Sequence, residues 1–369
     1  MWEILFALPD LSLRESIGDE YIAIVPHDDL RIIEITNQSS YAKAIVENFE
    51  DQFSRKNYPS LLIINDTAPK HLRDTEAIVG FRNIVALSTI IKGHEHSLTS
   101  TFVAFPLYSD FFDFYPITIA KDDDGFLTQS PSILGFDDER EKFTGQTSPG
   151  LAGPGHVRAE PVGQLFDQLQ KVWQRRYLKK KVNEWSTRTL FRSLEMAYQA
   201  SSMPFKNHST IYDFGSSTSL WVSAFEILSH PRSGKADLHS VLKLLGKYEW
   251  NDKKVKKKAY KSRYRGNDYR VNLVQKLYKE LYDTRNDFLH GNPVRKNRLF
   301  PFKNIKSQPI TRFAPLIYKV ALISFLVQFK TKRKIKRIER LKEYGRKLMI
   351  ERKLAEAILK SKENYKYKR

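Results

Sequence analysis

The spacing of apolar residues divides the chain into a first part that predicts strands with short helices and a second part that predicts long helices. Tyr21–Val25 and Leu30–Ile35 are short β-branched runs, and the turn sequence Pro26–Asp29 between them predicts a β-hairpin. The same patterns predict a helix that Ser40 caps and that runs to about Phe53, a buried strand at Ser60–Ile64, a helix at Asp74–Lys92 and strands at Phe102–Phe105 and Tyr115–Ala120. This order predicts a small α/β or α+β domain over residues 1–142.

A segment rich in glycine and proline, residues 143–163, separates the two parts and is interpreted as a linker. Within it, Gly150–Gly155 follows no strand and contains a proline where a phosphate loop needs backbone donors, so the linker interpretation is preferred. The strand signals fade beyond this point. Helical spacing then predicts helices at Leu165–Val182, Thr187–Ser201, Ser217–Ser229, Lys235–Leu245, Val271–Leu289 and Thr311–Phe329. We therefore expect an α+β chain whose residues 164–330 form an all-α helical bundle, followed by a basic helical tail over residues 331–369.

The third predicted helix carries one apolar stripe and one carboxylate on another face. Trp221 and Phe225 belong to this stripe, which also contains Leu220, Ala224 and Leu228. We therefore interpret Trp221 and Phe225 as core residues rather than as a platform on which bases stack. Glu226 points roughly away from the stripe, so we expect it to be a solvated carboxylate.

Composition favours a soluble cytoplasmic protein without disulfides. The chain has 369 residues, enough for two domains, and no cysteine, which also excludes thiolate zinc sites and cysteine nucleophiles. Its first residues lack the basic and apolar regions of a signal peptide. The most apolar stretch, Leu316–Phe329, is short and contains Lys319, so we interpret it as a buried helix and expect no membrane partner.

Charge is distributed unevenly between the two parts. Residues 1–140 contain 11 Lys or Arg and 23 Asp or Glu, whereas the whole chain has a net charge of +20. The acidic part is a candidate surface for a protein partner or inhibitor. The basic part has the charge pattern of nucleic-acid-binding proteins, although solvated tails and anionic membrane surfaces give similar patterns.

One basic cluster lies in what we predict to be a loop before the fifth helix. It interleaves cations with Tyr260, Tyr264 and Tyr269, a pattern that suits a single strand whose bases can stack. The alternative is a mobile charged loop. The candidate nucleic-acid-binding residues are Lys253, Lys254, Lys256, Lys257, Lys258, Arg263 and Arg265.

We assign no metal site and no cofactor. His94-Glu95-His96 offers two imidazoles, but we predict that it lies in an exposed loop, and no other cluster has matching metal-ligand spacing. The Asp122–Asp124 run lacks the glycine and distal glutamate of a calcium loop, so we interpret it as a solvated turn.

The candidate catalytic residues lie at the end of the fifth predicted helix. Arg285, Asn286 and His290 precede Gly291-Asn292-Pro293, a strong helix stop. A five-residue separation places Arg285 and His290 about 140° apart on a straight helix. A second subunit or a bent helix end is therefore needed to bring them to one site.

The pattern Tyr282-x-x-Arg285-Asn286-x-x-x-His290-Gly291 resembles the Apea-like branch of the HEPN superfamily. The resemblance covers roughly residues 165–330 and includes the preceding helix with Trp221, Ala224, Phe225, Glu226 and Leu228. A second arginine-to-histidine match, Arg232 to His239, has serine after the arginine and no glycine stop, so we set it aside.

The resemblance implies a metal-independent endoribonuclease that acts as a homodimer, such as a toxin or a phage-defence effector. His290 would then be the general acid or base, Arg285 would bind the non-bridging phosphate oxygens, and Asn286 would orient His290 or bind the phosphate. The alternatives are a catalytically inactive module that binds nucleic acid or protein, and a DNA- or membrane-associated scaffold. In either case Arg285 and His290 would cap helix ends or pair with Asp283 or Asp287.

Overall fold

The computed structural model shows a mixed α+β chain that divides into two compact units. It describes residues 1–9, 11, 13–50, 54–99, 117–119, 126–129, 134–137, 143–144, 163–179, 184–203, 210–264, 266–305, 307–329, 351–352 and 355. Unit 1 comprises Met1–Val79 and Pro106–Pro161, and unit 2 comprises Gly80–Phe105 and Val162–Arg369. This division differs from the predicted one at residues 80–105, which belong to the helical unit. Most of the predicted linker, residues 143–163, lies outside the described residues.

Unit 1 is built on a four-stranded antiparallel sheet with the strand order β1-β5-β3-β2. Its strands are β1 (Trp2–Leu8), β2 (Ile17–Gly18), β3 (Ile22–Val25), β4 (Phe49–Glu50), β5 (Ser60–Asn65), β6 (Ile117–Ile119), β7 (Phe126–Gln129), β8 (Leu134–Asp137) and β9 (Phe143–Thr144). Two helices, α1 (Leu30–Gln38) and α2 (Ser40–Glu47), pack their apolar side chains against one sheet face. The predicted strand at Ser60–Ile64 is confirmed, whereas the strand β1 was not predicted.

The predicted hairpin at Tyr21–Ile35 is wrong, because its second half is the helix α1. The Asp29 side chain accepts a hydrogen bond from the backbone N–H of Arg31 at 3.0 Å and caps this helix. In α1, Ile32 is buried whereas Leu30 and Ile33 are exposed. The β-branched run therefore follows helical periodicity, and β3 pairs with β2 and β5 instead.

Unit 2 is mostly helical and confirms the predicted series of long helices. Its helices are α3 (Thr75–Thr99, which belongs to this unit from Gly80), α4 (Gln164–Tyr177), α5 (Trp185–Ser202), α6 (Ile211–Leu228), α7 (Leu238–Gly246), α8 (Lys253–Lys257), α9 (Leu273–Leu289) and α10 (Ala314–Leu326). Short 3₁₀ turns lie at Lys296–Leu299, Pro301–Lys303, Ile310–Phe313 and Val327–Phe329. The unit is not all-α, because β10 (Tyr260–Tyr264) and β11 (Asn267–Val271) form an antiparallel hairpin where we predicted a loop.

Aromatic side chains from three helices form the core around the candidate site. Phe225 of α6 lies 4.8 Å from Tyr278 of α9 and 5.4 Å from Tyr318 of α10, measured between ring centroids. The Ser193 hydroxyl bonds the Ala224 carbonyl at 2.7 Å and the Tyr318 hydroxyl at 2.6 Å, which links α5 to the same core. Trp221 and Phe225 are buried, as predicted for core residues.

The segment Ile310–Phe329 is apolar and long enough to cross a membrane, and 78% of its most apolar window is buried inside the structure. Packing therefore accounts for its apolar side chains. The segment contains two charged residues, Arg312 and Lys319, and Lys319 donates to Glu95 at 2.9 Å.

His94 and Glu95 lie in α3, so the predicted exposed loop is wrong. Burial lowers the pKa of His94 to about 4, with a further contribution from the positive charge of Arg312. The side chain of His96 lies outside the described part. No group of three metal-ligating side chains occurs among the described residues.

The basic tail is described at Glu351, Arg352 and Ala355 alone. Glu351 is buried, and its carboxylate accepts hydrogen bonds from the backbone N–H groups of Asn251 and Asp252 at 2.5 and 3.0 Å. It also accepts from the Tyr248 hydroxyl at 3.2 Å. This part of the tail is therefore anchored on the segment that precedes α8.

Candidate functional site

Helix α9, which carries the candidate motif, begins at a fully bonded capping box. The Asn272 side chain accepts from the Gln275 N–H at 2.9 Å, and the Gln275 side chain accepts from the Asn272 N–H at 2.8 Å. The Gln275 amide group also donates to the Leu242 carbonyl of α7 at 2.8 Å. These contacts fix the start of the helix and its position against α7.

The other end of α9 stops where the sequence predicts. His290 is the C-cap residue, and its backbone N–H donates to the Asn286 carbonyl at 3.0 Å. Gly291 follows with φ of 66°, a left-handed conformation that glycine adopts without steric cost. The Asn292 N–H then donates to the Asp287 carbonyl at 2.9 Å and completes the turn.

A glycine on α6 allows the last turn of α9 to approach closely. A Cβ atom added to Gly215 would lie 2.7 Å from the Cγ and Cδ1 atoms of Phe288. Because such a contact is shorter than van der Waals distance, glycine is needed here. The position of the turn that carries His290 therefore depends on α6.

Arg285 is half-buried and makes few contacts with its own chain. Its Nη1 donates to the Asn286 side-chain oxygen at 3.1 Å, and its guanidinium lies 6.0 Å from the centroid of the Tyr282 ring. Its Nε atom is buried without a hydrogen-bond partner. Within the part of the chain that the structure describes, the guanidinium forms no ion pair.

The carboxylates nearest in sequence are occupied by other cations. Asp283 is bound by Lys279 at 2.5 Å, and Asp287 is bound by the Nε of Arg298 at 2.7 Å. The Arg298 backbone carbonyl also accepts from Thr284 at 3.3 Å, which places the 3₁₀ turn of Arg298 against α9. The expected alternative, in which Arg285 pairs with Asp283 or Asp287, is not the arrangement in the structure.

Glu226 of α6 lies in the electrostatic surroundings of Arg285, and it is half-buried rather than fully solvated as predicted. Burial raises the pKa of Glu226, the positive charge of Arg285 opposes this, and Asp237 raises it further. Tyr278 is buried beside both groups, and burial raises the pKa of its phenol. Glu226 thus provides partial charge balance for Arg285 without a direct ion pair.

His290 and Arg285 do not converge within one chain. The His290 side chain is exposed at the helix end and makes no hydrogen bond or ion pair with the residues that the structure describes. Arg285 is instead directed toward the surroundings of Glu226 and Tyr278. The structure joins Arg285 to Asn286 by a hydrogen bond, and no hydrogen bond joins His290 to either of them among the described residues.

The basic cluster forms the surface of α8 and the β10–β11 hairpin. Lys253, Lys256, Lys257, Lys258 and Arg263 are exposed. The side chain of Lys254 and all of Arg265 lie outside the described part. The antiparallel register pairs Lys261 with Arg270 and Arg263 with Asp268, so these side chains share one face. The cluster is thus presented on a regular hairpin.

The hairpin and His290 belong to opposite ends of α9. The hairpin leads into the first residue of a 17-residue helix, whose length is about 25 Å. A substrate in contact with both must therefore extend along the helix rather than bind at one point.

Sequence reasoning missed several residues around the site. Arg298 occupies the carboxylates that would otherwise neutralise Arg285, while Arg295 and Lys296 are exposed shortly after His290. The sequence feature that indicates these three residues is the basic run that follows the helix stop at Gly291-Asn292-Pro293. Neither the role of Arg298 nor that of Glu226 can be read from spacing along the chain.

Comparisons with protein-family models, with curated proteins and with solved structures found no match to this chain.

Proposed function

We propose that the protein is a metal-independent endoribonuclease of the HEPN type, with Arg285, Asn286 and His290 as its catalytic residues. The observation that carries the proposal is the half-buried Arg285 guanidinium, which lacks an ion-pair partner in the described residues although acidic side chains lie nearby. A buried donor without a partner is unfavourable, and a phosphate oxygen would satisfy it.

The reaction needs proton transfer and charge stabilisation at one phosphate. The 2′-hydroxyl oxygen of RNA attacks the adjacent phosphorus, the new O2′–P bond forms, and the P–O5′ bond breaks. In the proposed homodimer, His290 of one copy accepts the 2′-hydroxyl proton and His290 of the other copy donates a proton to the O5′ leaving group. Arg285 binds the non-bridging oxygens, whose negative charge grows in the transition state, and Asn286 holds the guanidinium.

A homodimer supplies the convergence that one chain lacks. Exposed apolar side chains lie at the end of α6 and α9 that carries His290: Ile211, Tyr212 and Leu289 are 38%, 75% and 56% exposed. Ile211 lies one turn before Gly215, which contacts Phe288, so these side chains belong to one end of the helix pair. A second copy packed on this end would bring the two motifs together and cover the apolar side chains.

The exposed cations of α8 and the hairpin would bind the RNA backbone beyond the scissile phosphate. Such contacts depend strongly on salt, because each neutralised phosphate releases counterions. A protein partner or inhibitor would bind at the acidic N-terminal part. This fits a toxin or phage-defence effector whose activity is restrained.

The test is cleavage of labelled single-stranded RNA and DNA by the full chain in EDTA. We expect RNA cleavage that is at least about 100-fold slower in Arg285→Ala and in His290→Ala. Arg188→Ala, which removes an exposed arginine from α5, is the matched control and should cleave like the wild type. Equal cleavage by all four proteins would contradict the site assignment.

The divergence of Arg285 and His290 in one chain favours a second candidate, a catalytically inactive module that binds RNA. This candidate predicts salt-dependent RNA binding without cleavage at any protein concentration. The proposed enzyme instead predicts cleavage whose specific rate rises with protein concentration as the dimer forms.

A further inference from the structure

A second polar site lies in unit 2, in a cavity that the proposed ribonuclease reaction does not use. The cavity has a volume of about 640 Å³ and opens between α5, the end of α6, α7 and the end of α10. This volume is typical of sites for small organic molecules. Neither Arg285 nor His290 lines it.

Two buried hydroxyl groups in the cavity wall lack partners. Thr189 of α5 and Ser324 of α10 are 3% and 7% exposed, and neither side-chain oxygen makes a hydrogen bond within the described structure. Both residues line the cavity. Buried hydroxyls are normally hydrogen-bonded, so these two indicate that a polar molecule belongs beside them.

The cavity edge on α7 is positively charged. His239, Lys243 and Lys247 are spaced four residues apart, line the cavity, and therefore share one face of the helix. The described residues that line the cavity include no aspartate or glutamate. Lys243 and Lys247 repel each other at this spacing, so an anion bound between them would relieve an unfavourable interaction.

Two lysines set the side of the cavity on which an anion is expected. Helices α6, α7 and α10 end beside the cavity, at Leu228, Gly246 and Leu326, and α5 begins there at Trp185, so the helix ends have opposing effects on an anion. Lys243 and Lys247 carry full charges, and the anionic group of a ligand is therefore expected against α7, with its uncharged part toward Thr189 and Ser324.

An aromatic wall closes another side of the cavity. The Trp185 indole N–H donates to the His230 carbonyl at 3.3 Å, and the two rings meet edge to face at 5.6 Å. The Nδ1 atom of His230 accepts from the Arg232 N–H at 3.1 Å, which leaves its Nε2 as a hydrogen-bond donor in the neutral ring. A flat apolar surface beside hydrogen-bond donors suits a sugar ring.

We propose that this cavity binds a phosphorylated sugar, either free or as part of a mononucleotide. The phosphate lies against Lys243 and Lys247 with His239 at its side, and the sugar hydroxyls bond Thr189 and Ser324. This site is independent of the proposed ribonuclease site, so either can fail without the other.

The test is calorimetric titration of the full chain with ribose 5-phosphate, adenosine monophosphate, ribose and inorganic phosphate at low salt. We expect the two phosphorylated compounds to bind, and ribose and inorganic phosphate to bind at least about tenfold more weakly. The tighter of the first two identifies the source of the sugar phosphate.

Three variants locate the site. Lys243→Gln with Lys247→Gln should weaken binding about tenfold or more, whereas Lys171→Gln with Lys179→Gln, which removes two exposed lysines elsewhere in unit 2, should not. Thr189→Val should weaken binding several-fold without lowering the melting temperature, because the lost hydroxyl had no partner in the unliganded protein.

Three outcomes would overturn the proposal. The first is no binding of either phosphorylated compound at millimolar concentration. The second is inorganic phosphate or ribose binding as tightly as the sugar phosphate. The third is equal loss of affinity in the two lysine pairs, which would indicate a general charge effect rather than this cavity.

Discussion

The two ends of α9 differ in how their polar groups are satisfied. At the start, the Asn272–Gln275 capping box and the bond from Gln275 to α7 leave the side-chain amides bonded within the chain. At the other end, Arg285 keeps a buried N–H without a partner and His290 is exposed without contacts in the described structure. The side-chain amides at the start of α9 are satisfied within the folded chain. Arg285 at the other end has a hydrogen-bond donor that a ligand would satisfy, and His290 is accessible to the same ligand.

Substitutions at the two ends should therefore have different consequences. Changes at the start of α9 should lower the free energy of unfolding and leave the rate of RNA cleavage unchanged. Changes at Arg285 and His290 should slow RNA cleavage, which the EDTA assay measures, and should leave the free energy of unfolding nearly unchanged. Because α6 packs on the last turn of α9, a change at that contact should affect both the free energy of unfolding and the rate of RNA cleavage.

The largest expected effect on stability comes from Gly215→Ala. The added methyl group meets Phe288 at 2.7 Å, and such overpacking costs about 1 to 3 kcal/mol. Because Phe288 belongs to the turn that carries His290, we also expect slower RNA cleavage in the folded variant. Chemical denaturation and the cleavage assay measure the two effects.

The neighbouring Ser216→Ala is the matched control, because Ser216 is exposed and its hydroxyl bonds its own helix. It should leave both stability and cleavage near the wild-type values. Wild-type stability in Gly215→Ala would show that the α6–α9 contact is looser than the structure indicates.

A smaller effect is expected from Asn272→Ala at the start of α9. Loss of the cap leaves the Gln275 N–H without its partner and costs about 1 kcal/mol. The rate of RNA cleavage by the folded variant should not change. A large loss of cleavage with an intact melting temperature would show that the two ends of α9 are not separable.

The helices and the end of α9 could be predicted from the sequence, because periodicity and the Gly291 stop are local signals. The β10–β11 hairpin could not, because its strands are mostly polar and basic rather than alternating in hydrophobicity. The run at Leu30–Ile35 has strand-forming residues, but the Asp29 side chain caps a helix there by accepting from the Arg31 N–H, which favours the helix.

The positions of the candidate residues on α9 were predictable, but their environment was not. The helical pattern and the Gly291 stop place Arg285, Asn286 and His290 in the last turns of α9 and predict that the first and last diverge. The half-burial of Glu226 and the capture of Asp287 by Arg298 depend on α6 and on the 3₁₀ turn at Lys296–Leu299. Such long-range packing is not encoded in any local pattern.

The smallest effect concerns the electrostatic link between Arg285 and Glu226. Burial raises the pKa of Glu226, so the folded state binds its proton more tightly than the unfolded chain, and the carboxyl costs stability above its raised pKa. Arg285 opposes this shift. In Arg285→Ala the pKa of Glu226 should therefore rise further, and stability should fall slightly more steeply as the pH rises toward neutrality.

Carbon-detected NMR titration of Glu226 measures this change, with Arg188→Ala as the control. An unchanged titration midpoint in Arg285→Ala would show that Arg285 and Glu226 do not interact. The proposed catalytic role of Arg285 would then lose its structural support from α6.

The central claim is that Arg285 and His290 promote attack by the RNA 2′-hydroxyl without a metal. The most direct measurement is mass spectrometry of the fragments that the full chain produces from a defined RNA in EDTA. We predict a 2′,3′-cyclic phosphate on one fragment and a 5′-hydroxyl on the other, and no such fragments from Arg285→Ala or His290→Ala. Fragments with 3′-hydroxyl and 5′-phosphate ends, or unchanged products from both variants, would contradict it.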